Sequence, residues 1–159
     1  MLETKATHFP YLLRACLKTS GPMLEFGCGF YSSFLLHSVG LATNRKVVTL
    51  DINEGWLNEM ASRLRSNMHE FIHLPNWGDH RFLSQSHWGV VFIDHAPAER
   101  RRIDIVRARE HAEIIVVHDT EQVLYEYKEA LESFQYRRDF TELEPFTTLV
   151  SETNDLKDI

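Results

Sequence analysis

The sequence predicts an α/β fold. It reads as a doubly wound, mostly parallel sheet of about seven strands, with helices on both faces and a C-terminal antiparallel pair. Three observations carry this. The runs "MLEF", "KVVTLDI", "GVVFID" and "AEIIVVHD" are continuously apolar until their ends, as strands buried on both faces are. Helical spacings separate them. Two β-rich runs then close the chain with only a short link between them.

In chain order, Phe9, Leu12, Leu13, Cys16 and Leu17 fall at helical spacing. They place an N-terminal helix within residues 1–20, ended by Ser20, Gly21 and Pro22. "MLEF" is the first strand, and 31–40 reads as a helix. Residues 46–52 are a second strand, rich in β-branched side chains. Residues 54–67 form an amphipathic helix with Trp56, Leu57, Met60 and Leu64 as its apolar stripe. Residues 69–74 are a third strand, 77–86 a loop or short helix, and 89–94 a fourth strand. A helix over 98–111 leads to a fifth strand, 112–119. A helix over 120–134 follows, with Asp119 or Thr120 as its cap. Runs 135–142 and 146–152 pair antiparallel across 143–145. Residues 153–159 are expected to form a flexible tail.

The 159 residues suit one domain spanning 1–159. Apolar residues make up 43% and charged residues 25%, ordinary for a soluble globular protein. A net charge of −6 argues against general nucleic-acid binding. No run approaches the roughly 18 apolar residues of a membrane span. Cys16 and Cys28 have no metal or redox spacing, and "MLETKATHFPYLLRACLK" lacks the apolar core of a signal peptide. A cytoplasmic location is expected.

Chemistry first enters at "MLEFGCGFYSS". Ligands of such sheets bind at the carboxyl ends of the strands, near the switch in strand order. Gly27 and Gly29 let the backbone turn tightly there and approach a ligand. Asp51 ends the second strand roughly 20 residues further on, where a carboxylate can accept both hydroxyl hydrogens of a ribose. Together they read as a nucleoside site. A dinucleotide site carries a third glycine where Ser32 stands, and Glu25 would repel a pyrophosphate. A nicotinamide cofactor is therefore disfavoured, and a cationic ligand suits better.

"LEFGCG", "VVTLDI", "VVFID" and "IIVVHD", taken in order, resemble the class I S-adenosylmethionine-dependent methyltransferases. The similarity covers nearly the whole chain. It implies a Rossmann-like fold, S-adenosylmethionine as cofactor, and cofactor contacts from Glu25, Gly27, Gly29 and Asp51. Glu25 would face the cofactor's positive end directly or through the turn's backbone. Asp79, in "NWGDH", matches the position that contacts the adenine.

Asp94, His95, His118 and Asp119 end or follow the fourth and fifth strands, so all four are expected on one rim. An oxygen nucleophile benefits from a base, and His95 and His118 suit by type. Asp94 and Asp119 would orient an imidazole or take the proton. Two Asp and two His would also suit a divalent metal. The competing reading makes His118 a satisfied core histidine and Asp119 a helix cap. The D-x-x-P and H-D endings of these strands resemble a subset of the family that includes plant glucuronoxylan O-methyltransferases. Arg100, Arg101 and Arg102 would hold an acidic substrate or form a solvated helix face.

The expected activity is thus O-methyl transfer to a small or saccharide-like acceptor. The alternative is an inactive nucleoside-binding module of the same fold. Little chain is left over for acceptor recognition, so a cap would come from a second subunit of a homo-oligomer.

Overall fold

The computed structural model describes residues 6–159. Residues 1–5 of the expected N-terminal helix lie outside the described residues. Helix α1 spans Phe9–Lys18, with Pro10 in its first turn, where a missing N–H costs nothing. Strands β1 (Met23–Phe26), β2 (Val47–Asp51) and β3 (His69–His73) alternate with helices α2 (Ser32–Thr43) and α3 (Glu54–Leu64). Asn53 caps α3 by accepting from the Trp56 amide at 3.0 Å. The short helix α4 (Arg81–Ser84) precedes strand β4 (Trp88–Ile93). Helix α5 (Arg101–Ala108), strand β5 (Ala112–His118) and helix α6 (Lys128–Glu132) follow. Strands β6 (Tyr136–Phe140) and β7 (Thr147–Ser151) complete the chain's regular structure.

The seven strands form one sheet in the order β3-β2-β1-β4-β5-β7-β6. The first five run parallel. β7 lies antiparallel to β5, and β6 antiparallel to β7. The order reverses between β1 and β4, which creates the crevice where such sheets bind ligands.

Alternation along the strands divides the core. Met23, Val47, Val90, Phe92 and Leu149 pack with Leu12 and Cys16 of α1 and with Leu36 and Val39 of α2. On the opposite face Leu24, Leu50, Val91, Ile115 and Val150 pack against Leu83 of α4, Ile105 of α5 and Leu131 of α6. Helix α3 seats Leu57, Met60 and Leu64 on Phe71. No helix among the described residues is long and apolar enough to cross a membrane.

Three expectations need correction. The helix expected over 98–111 is a short 3-10 turn, Ala98–Arg100, followed by α5. The helix expected over 120–134 is mostly irregular: α6 covers only Lys128–Glu132. Asp119 does not cap it, because its φ of 58° is left-handed, whereas a helix cap is normally extended. The third is residues 153–159, which are packed rather than free. Leu156 and Ile159 are buried in the α1/α2 side of the core, and Arg138 donates to the Leu156 carbonyl. Burying two large aliphatic side chains outweighs the polarity of the rest of the segment.

Candidate active site at the strand ends

The turn after β1 is built by close backbone contact. Gly27 has φ +89°, and a Cβ there would lie 2.7 Å from the His95 Cα. Only glycine fits, for reasons of packing against the end of β4. Gly29 differs. A Cβ added there would meet only the Ser32 hydroxyl, at 3.3 Å, with open space otherwise. Of the two glycines, Gly29 is the one that leaves room for a ligand.

Glu25 lies beneath this turn, fully buried. Its Oε2 accepts from Ser33 Oγ at 2.7 Å and from Thr49 Oγ1 at 2.6 Å. Ser33 Oγ in turn accepts from the Gly29 amide at 3.0 Å. Glu25 is therefore linked to the turn through Ser33. Burial pushes its carboxyl up to about 7, against the opposing hydroxyls of Ser32, Thr49 and Ser33. A carboxyl whose folded pKa is raised contributes stability that is full below its unfolded value and is lost as pH rises through the folded one. Glu25→Gln, which mimics the neutral acid, should therefore gain on the wild type by up to about 3 kcal/mol between pH 5 and pH 8. Urea unfolding at the two pH values checks this. An equal difference between the proteins at both would contradict it.

Asp51 joins the turn to the end of β2. Its Oδ2 accepts from the Cys28 amide at 2.9 Å and its Oδ1 from the Asn53 amide at 2.8 Å. Each oxygen keeps a further lone pair for a ligand hydroxyl. Trp56 flanks the site: its Nε1 donates to the Cys28 carbonyl at 2.7 Å, and Phe30 meets its ring edge-on. Asp79 pairs with Arg81. Arg81 grips it with Nε at 2.9 Å and a second nitrogen at 2.7 Å, and these bonds hold its carboxyl down to about 2.

At the other strand ends, three of the four expected rim residues meet. One ligand atom from each of Asp94, His118 and Asp119 lies within 4.8 Å of the others. His95 does not join them. Its ring is buried on the α5 side of the sheet, with Nε2 at 2.9 Å from Asp104 Oδ2 and Trp77 stacked at 4.2 Å. It is a core histidine, and the catalytic expectation for it fails on position.

The three consecutive arginines divide between the surface and the interior. Arg102 pairs with Glu126 on the surface. Arg100 donates to the Trp77 carbonyl at 2.7 Å. Arg101 is buried and spans both strand ends. Its Nε donates to the His95 carbonyl at 2.6 Å, and its terminal nitrogens lie 3.1 Å from Asp94 Oδ1 and 3.1 Å from Asp119 Oδ2.

The protonation of His118 follows from its neighbours. Thr7 Oγ1 lies 2.5 Å from the Pro145 carbonyl oxygen, too close without a hydrogen between them. The carbonyl has none to give, so Thr7 donates there and is an acceptor toward His118 Nε2, at 3.1 Å. His118 Nδ1 faces Asp94 Oδ2 at 3.4 Å and Asp119 Oδ1 at 3.5 Å. Both ring nitrogens thus face acceptors, the pattern of an imidazolium. Burial opposes the charge, but the hydrogen bond to Asp94 and the charges of Asp94 and Asp119 prevail and raise the pKa of His118. Asp94 moves the other way: burial would raise it, yet His118 and Arg101 hold it below the usual carboxylate value. Next to them His8, buried and beside His118, is pushed down to about 4 and stays neutral.

Two carboxylates and two cations therefore balance. An imidazolium has no lone pair to receive a proton. The open groups are the carboxylates, with side-chain exposures of 28% and 26% against 5% for His118 and 6% for Arg101. A divalent metal does not fit this arrangement: Arg101 holds one oxygen of each carboxylate, and the His118 nitrogen facing the other oxygens carries a proton.

No protein-family model matches the chain, and no curated protein is significantly similar to it in sequence. Solved structures do match. The O-methyltransferase TomG from Streptomyces achromogenes, in complex with SAM, is 19% identical with a TM-score of 0.68, over 94% of this chain and 82% of that one. An O-methyltransferase from Bacillus cereus in complex with SAH is 17% identical with a TM-score of 0.68, at the same two coverages of 94% and 82%. A precorrin methyltransferase from Geobacter metallireducens is 13% identical with a TM-score of 0.65, over 94% and 92%.

Proposed function

From a chain with the Rossmann-like fold of the class I S-adenosylmethionine-dependent methyltransferases, we propose an enzyme of that activity, transferring a methyl group to an oxygen of a small or saccharide-like acceptor. One observation carries this reading. The glycine turn with Asp51, at the ends of β1 and β2, and the Asp94–His118–Asp119 cluster, at the ends of β4 and β5, share one edge of the sheet. That edge offers a nucleoside cradle beside groups able to take a proton.

The residues fit the cofactor. Gly29 leaves the turn open, and Asp51 has lone pairs for the ribose hydroxyls. Glu25 sets the turn through Ser33. When bound, the cofactor supplies an electrophilic methyl group on a sulfonium, which departs as a neutral thioether. The chain's own task is to align the acceptor and receive its proton. As the acceptor oxygen forms its new bond to carbon, its O–H proton passes to the carboxylate of Asp94 or Asp119. Arg101 and His118 keep Asp94 ionised, and His118 Nδ1 faces the oxygen of each carboxylate that Arg101 does not hold.

Incubation with methyl-labelled S-adenosylmethionine and a panel of hydroxylated acceptors, including uronic sugars and phenols, tests this directly. Label transferred to an acceptor oxygen is the expected result. Cofactor binding without transfer to any acceptor would instead favour an inactive module of the same fold. Transfer only to nitrogen or carbon would overturn the acceptor class.

A further inference from the structure

We propose that Arg101 is a positioning residue that serves this site as its built-in cation, in the place a divalent metal would otherwise take. One guanidinium reaches four acceptors at the ends of two strands: the His95 and His118 carbonyls, Asp94 Oδ1 and Asp119 Oδ2. A planar fork with five donors can do this in a fixed geometry, whereas a lysine ammonium cannot. Arg101 is 5% exposed, so water does not compete for these bonds.

The consequence lies in how the remaining oxygens are held. Asp94 Oδ1 and Asp119 Oδ2 face Arg101, and Asp94 Oδ2 and Asp119 Oδ1 face His118 Nδ1. Each carboxylate is held at both oxygens by a cation of the chain itself. Asp119 even adopts the left-handed backbone, at φ 58°, that turns its carboxylate back toward this centre. A side chain other than glycine held there is strained, and Arg101 offsets that strain. A divalent ion entering the cluster would meet the guanidinium's charge and would have to displace the Nδ1 proton. The positioning role in proton acceptance rests on the methyltransferase reading; the replacement of a metal does not.

The test titrates wild type, Arg101→Gln, Arg101→Lys and Asp94→Asn with manganese chloride by calorimetry, and with S-adenosylhomocysteine in parallel. The wild type and Arg101→Lys should show no saturable manganese binding that Asp94→Asn abolishes. Arg101→Gln should bind manganese at least about tenfold more tightly than wild type, since removing a unit charge beside two carboxylates leaves them uncompensated. With an acceptor in hand, Arg101→Lys should lower kcat and leave the affinity for S-adenosylhomocysteine unchanged, a split that general destabilisation does not produce. Saturable manganese binding by the wild type that is lost in Asp94→Asn overturns the proposal. So does a folded Arg101→Gln protein that binds manganese no better than wild type. If Arg101→Gln does not fold, the comparison of wild type with Asp94→Asn decides by itself. A failure to bind S-adenosylhomocysteine would sink the methyltransferase reading and leave the manganese result standing.

Discussion

Asp94→Asn should lower methyl transfer at least about a hundredfold, the lower end of what a positioned proton acceptor contributes. The amide keeps the shape of the side chain but cannot take a proton. It also leaves Arg101 and His118 facing one carboxylate in place of two. The affinity for S-adenosylhomocysteine should change little, since the Asp51 bonds to Cys28 and Asn53 are untouched. Steady-state rates and calorimetry on one protein preparation separate the two effects. If Asp94 is only structural, the variant melts at a lower temperature and the surviving folded enzyme turns over at the wild-type rate.

Gly29→Val should abolish cofactor binding and leave the fold in place. Its new Cβ meets one hydroxyl and otherwise projects into open space at the turn, where a branched side chain would occupy the ligand's volume. Gly27→Ala is the contrasting variant. Its Cβ would collide with the His95 backbone at a positive φ, so it should lower the melting temperature. Circular dichroism melts and a cofactor titration distinguish them. Undiminished affinity in Gly29→Val would mean that the turn does not touch the cofactor.

The contrast between the two glycines shows where sequence reasoning reaches its limit. "EFGCG" announces a tight turn at a strand end, and the structure has one. Which glycine is spent on packing and which on space depends on β4, 60-odd positions away in the chain, and no local pattern records that. The strands themselves were legible to within one or two residues, because continuous apolar runs bounded by polar residues leave few alternatives. The 120–134 stretch misled because its periodicity is helical, whereas its actual path is decided by tertiary bonds. Asp119 is tied to Arg101, and Tyr127 is buried with its hydroxyl on the Ala98 carbonyl at 3.0 Å.

At the rim, alternation was the signal left unused. Asp94 and His95 are adjacent, so their side chains leave the strand end in opposite directions. Only one could face the cluster, and it is Asp94. The same rule would have separated His118 from Asp119, but the left-handed Asp119 reverses its direction and brings both together. Arg101 had no signature of its own among three consecutive arginines. The hint was two carboxylates ending neighbouring strands, a pair that needs a cation between them.

A calorimetric titration with S-adenosylhomocysteine tests most directly whether this sheet edge is an S-adenosylmethionine site. Saturable binding to the wild type is expected, weakened by about 1–3 kcal/mol in Asp51→Ala, where ribose hydroxyls would lose their acceptor. NAD should not bind under the same conditions. Tight binding of NAD with none of S-adenosylhomocysteine would rule out such a site, as would S-adenosylhomocysteine binding that Asp51→Ala leaves unchanged.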